Sequence, residues 1–373
     1  MKTVCDLDDC TGCMACIDIC GKHAISIQDN LKSYNAVIDQ NKCVNCGLCT
    51  KVCQNNYKIQ SCQPTKWYQG WTNDEQDRLK ASSGGFATAI AKSFIKNKGI
   101  VYSCVFKNGE FIFESAKNEN EVDKFTGSKY VKSNPINLYK NVLNDLKSGK
   151  KVLVIALPCQ IGALKQYIKQ EFQQNLYTVD LICHGTPSPN FLEMFLNQYN
   201  KSLKMFNSII FRVKAKMQIH GNNEGIVTKG VSDKYTIAFL NGLTYTDNCY
   251  KCKYAKLERV SDITIGDSWG STLSEDERKK GISLALCQTK KGIELLGESN
   301  LCLKDVDLNE AINNNHQLKA PSTTPSQRNN FFNGVKKHKR INFLIFIIYP
   351  RQSIKQDVKN LLIRIGVIRK ING

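Results

Sequence analysis

The chain has 373 residues, 17 of which are cysteine, and a formal net charge of +19. This length suffices for two domains, and the N-terminal residues MKTVCDLDD contain no apolar run of the kind that directs secretion. A secreted, disulfide-stapled protein is therefore disfavoured, and we expect a cytoplasmic protein whose thiols are metal ligands or buried side chains.

The positive charge is unevenly distributed along the chain. Residues 1–62 contain six lysines and six aspartates, whereas residues 319–373 contain twelve Lys or Arg residues and one Asp, a net charge of +11. A basic segment attracts polyanions, which makes nucleic acid and an anionic membrane surface the candidate partners. No recognised nucleic-acid-binding motif is found, so nucleic acid is the less favoured of the two. Lys and Asn are abundant throughout, and compositional bias is a third explanation.

Residues 10–53 contain two copies of the pattern CxxCxxCxxxC. This is the ligand spacing of a module that holds two [4Fe-4S] clusters, in which three close thiolates bind one cube and the fourth binds the other. Zinc is the alternative for thiolate ligands, but zinc sites do not need two interleaved four-cysteine runs. Gln54 follows the last cysteine, where proline is common. The predicted ligands are Cys10, Cys13, Cys16 and Cys53 for one cluster, and Cys43, Cys46, Cys49 and Cys20 for the other.

Short strand-like segments accompany the two cysteine runs. HAISIQ and YNAVIDQ look like the paired strands of an internally duplicated, bacterial-type ferredoxin. Residues 1–62 are therefore predicted to form a small domain whose clusters supply much of its folding energy. Cys5 and Cys62 flank this domain, fit neither set of four, and are interpreted as bystanders.

Residues 63–318 are predicted to form a second, α/β domain, with residues 63–80 interpreted as the connection into it. Apolar runs of strand length alternate with helical patterns, and one hairpin is expected to turn at Asn108 and Gly109. A helix is expected to start at Asn134 and Pro135, and residues 208–245 are β-rich. The expected fold class is therefore α+β or α/β, with a mixed, largely parallel sheet in the second domain.

A small-residue turn lies at the start of this domain. Ser82, Ser83, Gly84 and Gly85 precede an apolar helix, and backbone amides at such a helix start can bind a phosphate. The alternative is a serine that only caps the helix, which is common.

Four further cysteines come from three segments at or beyond the carboxyl ends of predicted strands, where ligands bind in α/β sheets. They supply the number of thiolates that one more [4Fe-4S] cluster needs, and zinc or no metal are the alternatives. Cys104, Cys287 and Cys302 lie inside strand-like runs and are predicted to be core residues. The four candidate ligands are Cys159, Cys183, Cys249 and Cys252.

Two polar residues near these cysteines are candidate catalytic groups. His184 directly follows Cys183 and is able to donate a proton, although bonding a loop carbonyl is an equal alternative. Asp267 ends another apolar strand, where it would orient a cofactor hydroxyl or cap a turn.

Taken in order, these motifs resemble a known family. The motifs SSGG, GSKYV (127–131), LPCQIGAL (157–164), ICHGTPS (182–188), NCYKC (248–252) and SDITIGDSWG (261–270) follow a ferredoxin-like N-terminus. This set is similar to the coenzyme F420 hydrogenase/dehydrogenase beta-subunit family over roughly residues 1–300.

The resemblance implies a function. Members of that family bind FAD and [4Fe-4S] clusters and move electrons between the clusters and a hydride carrier. It implies that Ser82 to Gly85 hold FAD phosphates, that Lys129 and Tyr130 contact the flavin, and that the second cysteine set binds a third cluster. We therefore expect an FAD- and iron-sulfur-dependent oxidoreductase with a small-molecule substrate and an electron donor or acceptor protein as partners. Similar chains in polysaccharide biosynthesis loci suggest that pathway, and a non-catalytic electron-transfer subunit is the alternative.

The basic tail, residues 319–373, departs from the family pattern. Its apolar run INFLIFIIYP is too short to cross a bilayer, which takes about 20 residues. Together with the basic helix-like segment that follows, it predicts peripheral contact with the inner face of the membrane. Packing on its own domain or on a partner is the alternative.

Overall fold

The structure is a computed structural model, and it describes residues 2–367. The N-terminal part is a small antiparallel sheet of order β1-β3-β2 with two short helices. Ile25 is paired with Ile38 between β2 and β3, which confirms the two predicted strands. Their apolar side chains and several cysteines form one small core. The elements are β1 (Lys2–Thr3), α1 (Ala15–Ile19), β2 (Ile25–Asp29), β3 (Tyr34–Ile38) and α2 (Leu48–Val52).

The rest of the described chain is built on a large sheet with helices on its faces and a smaller sheet beside it. Its strands are β4 (Lys66–Thr72), β5 (Ile100–Lys107), β6 (Glu110–Ala116), β7 (Val152–Ala156), β8 (Leu176–Leu181), β9 (Ile209–Val213), β10 (Lys216–Gly221), β11 (Glu224–Gly225), β12 (Ile263–Asp267), β13 (Ser283–Cys287) and β14 (Leu301–Lys304). Its helices are α3 (Glu75–Lys80), α4 (Phe86–Lys96), α5 (Leu138–Lys147), α6 (Pro158–Tyr167), α7 (Pro189–Asn197), α8 (Lys234–Leu240), α9 (Glu275–Lys280), α10 (Lys290–Gly297), α11 (Leu308–Asn314), α12 (Arg328–Lys336), α13 (Ile341–Ile348) and α14 (Pro350–Arg364).

Within residues 2–367 the large sheet has the order β14-β4-β13-β12-β8-β7-β5-β6. The adjacent pairs among β12, β8, β7 and β5 are parallel, and the outer pairs are antiparallel. All five side chains of β7 are buried, as expected of a strand covered on both faces. This arrangement confirms the predicted mixed sheet with a parallel centre, and it brings the carboxyl ends of the parallel strands to one edge.

The interpretation of residues 63–80 as a connection is wrong, because Lys66–Thr72 is β4, a strand inside the large sheet. It pairs with β13 on one side and β14 on the other. Gly70 permits the close approach to β14, since a Cβ there would lie 1.9 Å from the carbonyl oxygen of Cys302. Polar residues and this glycine break the apolar pattern, which hid the strand in the sequence.

Other local predictions agree in part with the structure. Asn108 and Gly109 both have positive φ and turn the β5-β6 hairpin, as predicted. The helix expected from Asn134 begins later, at Leu138, after Asn137 in the left-handed region. Residues 208–245 contain the small sheet β9 to β11 but also α8, which the β-rich interpretation missed.

The C-terminal helices α12 to α14 pack on their own domain. Phe331, Phe332 and Ile345 are buried in one cluster with Phe191 and Phe195 of α7. Among residues 2–367, no helix is both long enough and apolar enough to pass through a bilayer. Packing on its own domain, the alternative to membrane contact, therefore explains why these side chains of the tail are buried.

Candidate functional site

The structure brings the first predicted set of ferredoxin cysteines together. Burial raises the pKa of Cys16, and the charges of Cys13, Cys10 and Cys53 raise it further. The backbone N–H of Ala36 donates to Cys10 Sγ at 3.4 Å, a contact of the kind that tunes a cluster's potential. Cys53 thus lies beside the three cysteines of the other run, as the crossed assignment requires.

Cys5, interpreted as a bystander, packs in the same small core as Cys10 and Cys53. Asn55 Nδ2 also donates to the Cys5 sulfur at 3.7 Å. Nothing in the spacing of the cysteines pointed to this contact, because Cys5 follows β1 and lies outside the repeated pattern.

The second predicted set lies at a more exposed end of the module. Cys46 is exposed, and Cys20, Cys43 and Cys49 are half-buried. Within residues 2–367, no three His, Cys, Asp or Glu side chains converge as they would around one metal ion. A cube of iron and sulfide is a larger body than a single ion and needs ligands that stand further apart.

The second cysteine set lines one cavity of about 240 Å³ at the carboxyl edge of the parallel strands. Cys159 lies in the first turn of α6, just after β7, and Cys183 follows β8. Burial raises the pKa of Cys183 to about 12, and the charges of Cys249 and Cys252 contribute to the increase. The structure therefore brings together four thiols from three segments, of which Cys249 is buried and the other three are half-buried.

The same cavity is closed on one side by the ferredoxin module. Asp9, Thr11 and Asn55 are part of its lining. Cys13 of the first ferredoxin set packs against the same apolar cluster as Cys159 and Cys252. The first ferredoxin set and the cavity cysteines are therefore neighbours across the contact between the two parts.

Gln54, which stands where proline is common, joins the ferredoxin module to the large domain at this contact. Its side chain is fully buried, and Nε2 donates to Thr11 Oγ1 at 3.0 Å and to the carbonyl oxygen of Cys159 at 2.9 Å. The hydroxyl of Tyr254 donates to Gln54 Oε1. Proline would supply none of these bonds. The sequence showed that a glutamine is unusual at this position, but its role became apparent only from its contacts in the structure.

A second cavity, of about 430 Å³, lies beside the first and contains most of the predicted flavin residues. Ser82, Ser83 and Gly85 line it, together with the first turn of α4. Gly85 is the N-cap of α4 and has a φ of +88°. No side chain caps this helix, so its first amides are available to an anion such as a phosphate.

Gly84 has a different role from the one expected. Its N–H donates to Ser283 Oγ at 2.9 Å, and a Cβ at this position would lie 2.4 Å from the carbonyl oxygen of Gly70. The residue is buried between strands and permits close packing of the turn on the sheet. Ser82 Oγ accepts the N–H of Ser128 at 3.0 Å, which ties the turn to the GSKYV segment.

Lys129 and Tyr130 lie on that segment and line the second cavity. Lys129 Nζ donates to the carbonyl oxygens of Phe125 and Thr126, and burial lowers its pKa. The ring of Tyr130 stacks on Phe239 with centroids 4.5 Å apart. Both side chains are therefore held in place by the protein itself.

Asp267 lines the second cavity but is not a free carboxylate. Arg212 of β9 binds it through two nitrogen atoms, at 2.6 and 2.8 Å. This carboxylate raises the pKa of Arg212 despite burial, and the guanidinium lies 5.5 Å from the centre of the Trp269 ring. Arg212 could not be predicted from the sequence, since one arginine in an irregular β-rich segment carries no signal.

His184 stands between the two cavities. It lines both of them, as do Cys183, Gly185 and Thr186. Burial lowers the pKa of His184, which favours the neutral ring near pH 7. Its exposed surface faces these cavities, and its carbonyl oxygen accepts the Ser322 hydroxyl at 2.8 Å. The two cavities therefore share a wall made by the residues that follow β8.

Comparison with known proteins gives matches to both parts. A 4Fe-4S dicluster domain matches residues 9–57. The beta-subunit N-terminal and C-terminal models of coenzyme F420 hydrogenase/dehydrogenase match residues 67–139 and 149–305. Thirteen chains of solved structures match. One, from the F420-reducing [NiFe] hydrogenase complex of Methanosarcina barkeri, is 19% identical, with a TM-score of 0.46, covering 69% of this chain and 91% of that one.

No curated protein matches the chain. The two beta-subunit models together cover more than half of its residues, in the order in which they occur in one subunit, after the dicluster domain. The chain therefore belongs to the coenzyme F420 hydrogenase/dehydrogenase beta-subunit family, as an iron-sulfur protein of electron transfer.

Proposed function

We propose that the chain is an iron-sulfur flavoprotein oxidoreductase that passes electrons between its ferredoxin clusters and FAD to reduce or oxidise an organic substrate. A third [4Fe-4S] cluster would occupy the cavity of Cys159, Cys183, Cys249 and Cys252, and FAD the larger cavity. The observation that carries this proposal is the shared wall at Cys183 to Thr186. Electrons would therefore cross short, protein-filled distances from the ferredoxin module to the flavin.

The donor set of the smaller cavity fits a cluster. Burial raises the pKa of Cys159 and Cys183, so isolated thiolates are unfavourable there. Bound iron reverses this, because metal coordination deprotonates thiols and its positive charge offsets theirs. The cation of Lys132 lowers the pKa of both cysteines and supplies further compensation.

The larger cavity fits a dinucleotide such as FAD. The open amides at the start of α4 suit the phosphates, with Ser82, Ser83 and Gly85 beside them. When bound, the flavin exchanges a hydride with an organic partner and single electrons with iron-sulfur clusters. Lys129 and Tyr130 would contact its ring system from the other side of the cavity.

The polar residues at the shared wall would handle the substrate and its proton. His184, neutral because burial lowers its pKa, is the candidate to exchange a proton with the substrate. Asp267 would position the cofactor or substrate through the fixed Arg212 pair rather than act as a base, since its carboxylate is already bound. An F420-like hydride carrier and an intermediate of polysaccharide biosynthesis are the substrate classes suggested by the family resemblance.

The rival function is a non-catalytic electron-transfer subunit that docks on a separate catalytic partner. The exposed position of Cys46 favours exchange of electrons with another protein under either function. The two functions differ in whether the larger cavity binds a substrate beside the flavin.

Rapid mixing of the anaerobic protein with a one-electron donor tests the proposal. We expect reduction of the ferredoxin clusters first and bleaching of the flavin afterwards, followed by reoxidation when an F420-like carrier is added to the isolated chain. Reoxidation only in the presence of a partner protein would establish the rival function. Flavin that stays oxidised while the clusters are reduced would refute both proposed electron routes.

Exposed apolar side chains on the C-terminal helices support an additional role of the protein in membrane contact. On α14 and the residue after it, Ile354, Val358, Leu361 and Ile365 are exposed and recur at the spacing of one helix face. Phe343, Phe346 and Ile347 are likewise exposed on α13. Exposed apolar side chains in a segment of net charge +11 suit the headgroup region of an anionic leaflet.

Flotation with vesicles tests this contact. The protein should float with phosphatidylglycerol vesicles and not with phosphatidylcholine vesicles, and a double Ile354→Glu, Leu361→Glu variant should lose most of the binding. Leu79→Glu, which changes an equally exposed leucine on α3, should retain it. Absence of wild-type flotation, or self-association that the double variant abolishes, would overturn the membrane interpretation.

A further inference from the structure

Lys132 is a buried cation at the contact between the ferredoxin module and the large domain. Its exposed fraction is 5%, and it lines the cavity of the second cysteine set. Its backbone N–H donates to the carbonyl oxygen of Pro187 at 2.9 Å, and the next residue, Ser133, accepts a bond from Gln160 of α6. The lysine is therefore fixed between the loop after β8 and the helix that carries Cys159.

The ammonium group has few partners in this place. Nζ donates to the carbonyl oxygen of Thr11 at 3.0 Å, and none of the ion pairs formed within residues 2–367 includes Lys132. A buried cation without a counter-ion is costly, and an ammonium group has three hydrogens to donate. The position of Lys132 is therefore explained by an anion that would complete its surroundings.

The nearest candidates for that anion are the two groups of cysteines. Lys132 lines the same cavity as Cys159 and Cys183 of the second cysteine set, and its Nζ bonds the carbonyl oxygen of Thr11, the residue that follows Cys10 of the first ferredoxin set. None of the four cysteines of the second ferredoxin set is among the described residues that line this cavity, and the most exposed of them is Cys46. Lys132 thus faces two of the three sites and not the third.

We propose that Lys132 is the shared counter-ion of the first ferredoxin cluster and the third cluster, and that it raises their reduction potentials relative to the second ferredoxin cluster. The third cluster in this statement rests on the proposed function. Each cube takes up one electron, supplied by an external one-electron donor, and becomes more negative by one charge. A fixed cation in a poorly solvated place stabilises that reduced form. Electrons arriving at the exposed second cluster would then move inward.

Anaerobic redox titrations followed by electron paramagnetic resonance test this role. In Lys132→Met the potentials of the first and third clusters should both shift downward, while that of the second cluster stays constant and serves as the internal standard. Lys132→Arg keeps the charge and should retain the wild-type potentials. Should the Met variant fail to fold, Lys132→Gln keeps a polar side chain of similar length and is expected to shift the same two clusters.

The outcomes separate this inference from the proposed function. Unchanged potentials in a Lys132→Met protein with three clusters would overturn the role of Lys132 and leave the function intact. Equal shifts at all three clusters would overturn it too, because they would indicate a general effect of net charge. A wild-type protein with only two clusters would remove the third site, and a shift of the first cluster alone would then show that Lys132 serves one cluster instead of two.

Discussion

Replacing Gln54 with leucine should loosen the ferredoxin module from the large domain. The substitution keeps the volume nearly constant and removes the hydrogen bond that Nε2 donates across the contact to the carbonyl oxygen of Cys159, worth about 1 kcal/mol. The bond to Thr11 lies within the module and does not hold the module to the large domain. The substitution also leaves the hydroxyl of Tyr254, a 3% exposed residue, without its acceptor, at a cost of about 1–3 kcal/mol. The expected loss is therefore at least about 2 kcal/mol, or roughly a thirtyfold increase in the population of the separated state.

Hydrogen exchange measures this population directly. The backbone N–H groups of Asn137 and Tyr139 donate to Asp18 of α1, at 2.7 and 3.2 Å, across the same contact. If the module separates as a unit, both amides should exchange at least roughly thirtyfold faster in Gln54→Leu. Amides of β7, Val152–Ala156, lie inside the parallel sheet and should keep their rates.

Gln166→Leu is the matched control. Gln166 Nε2 also donates to the module, at 2.9 Å to the carbonyl oxygen of Lys51, but the bond is exposed to solvent. A change of about 0.5 kcal/mol or less is expected there, which corresponds to less than about a threefold change in rate. If the amides of Asn137 and Tyr139 exchanged at the same rates in the two variants, Gln54 would not be the residue that holds the module to the large domain.

Two further predictions concern the cavities, and a third concerns Lys214. Cys159→Ala should lower the iron content from about twelve to about eight atoms per chain, measured on anaerobic protein. Gly85→Ala should lower the affinity for FAD at least tenfold, since a Cβ at this left-handed position would meet Thr72 at 2.7 Å and distort the start of α4. Burial, with the charges of Arg78 and Arg212, lowers the pKa of Lys214 from 10.5 to about 8. Because the unfolded chain then binds more protons between these values, stability should rise with pH from about 8 to 10.5, and Lys214→Met should remove that part of the rise.

Each of these three predictions has a control variant or a result that would contradict it. Cys287→Ala changes a buried cysteine of β13 and should retain about twelve iron atoms, so an equal loss there would contradict a specific ligand role. Gly149→Ala introduces the same left-handed strain, at a φ of +79°, in open space. It should cost about 1–2 kcal/mol of stability and leave FAD binding unchanged. Identical pH profiles of wild type and Lys214→Met would show that Lys214 keeps its ordinary pKa.

The sequence predicted the features that depend on local spacing. Each cysteine run keeps its candidate ligands within a short segment, so the repeat alone was enough to predict which cysteines would lie together. The strands β7 and β8 were recognised because a strand buried on both faces is a continuous apolar run. Cys159, Cys183, Cys249 and Cys252 were grouped because the carboxyl ends of parallel strands meet at one edge.

Features that depend on contacts distant in sequence were missed. Gln54, Lys132 and Arg212 are ordinary polar residues in the sequence, and each acquires its role only from a neighbour on another element. The strand Lys66–Thr72 was missed because its partners follow more than 200 residues later. Gly84 was assigned to the phosphate turn because it is next to Gly85 in the sequence, whereas its N–H donates to Ser283 Oγ in the structure.

The iron, sulfide and flavin content of the anaerobically purified full chain tests the central claim most directly. Three clusters and one bound flavin predict about twelve iron atoms, about twelve sulfides and one FAD per chain. About eight iron atoms without flavin would contradict the claim, because the two adjoining cavities would then hold neither of the groups that the electron route needs.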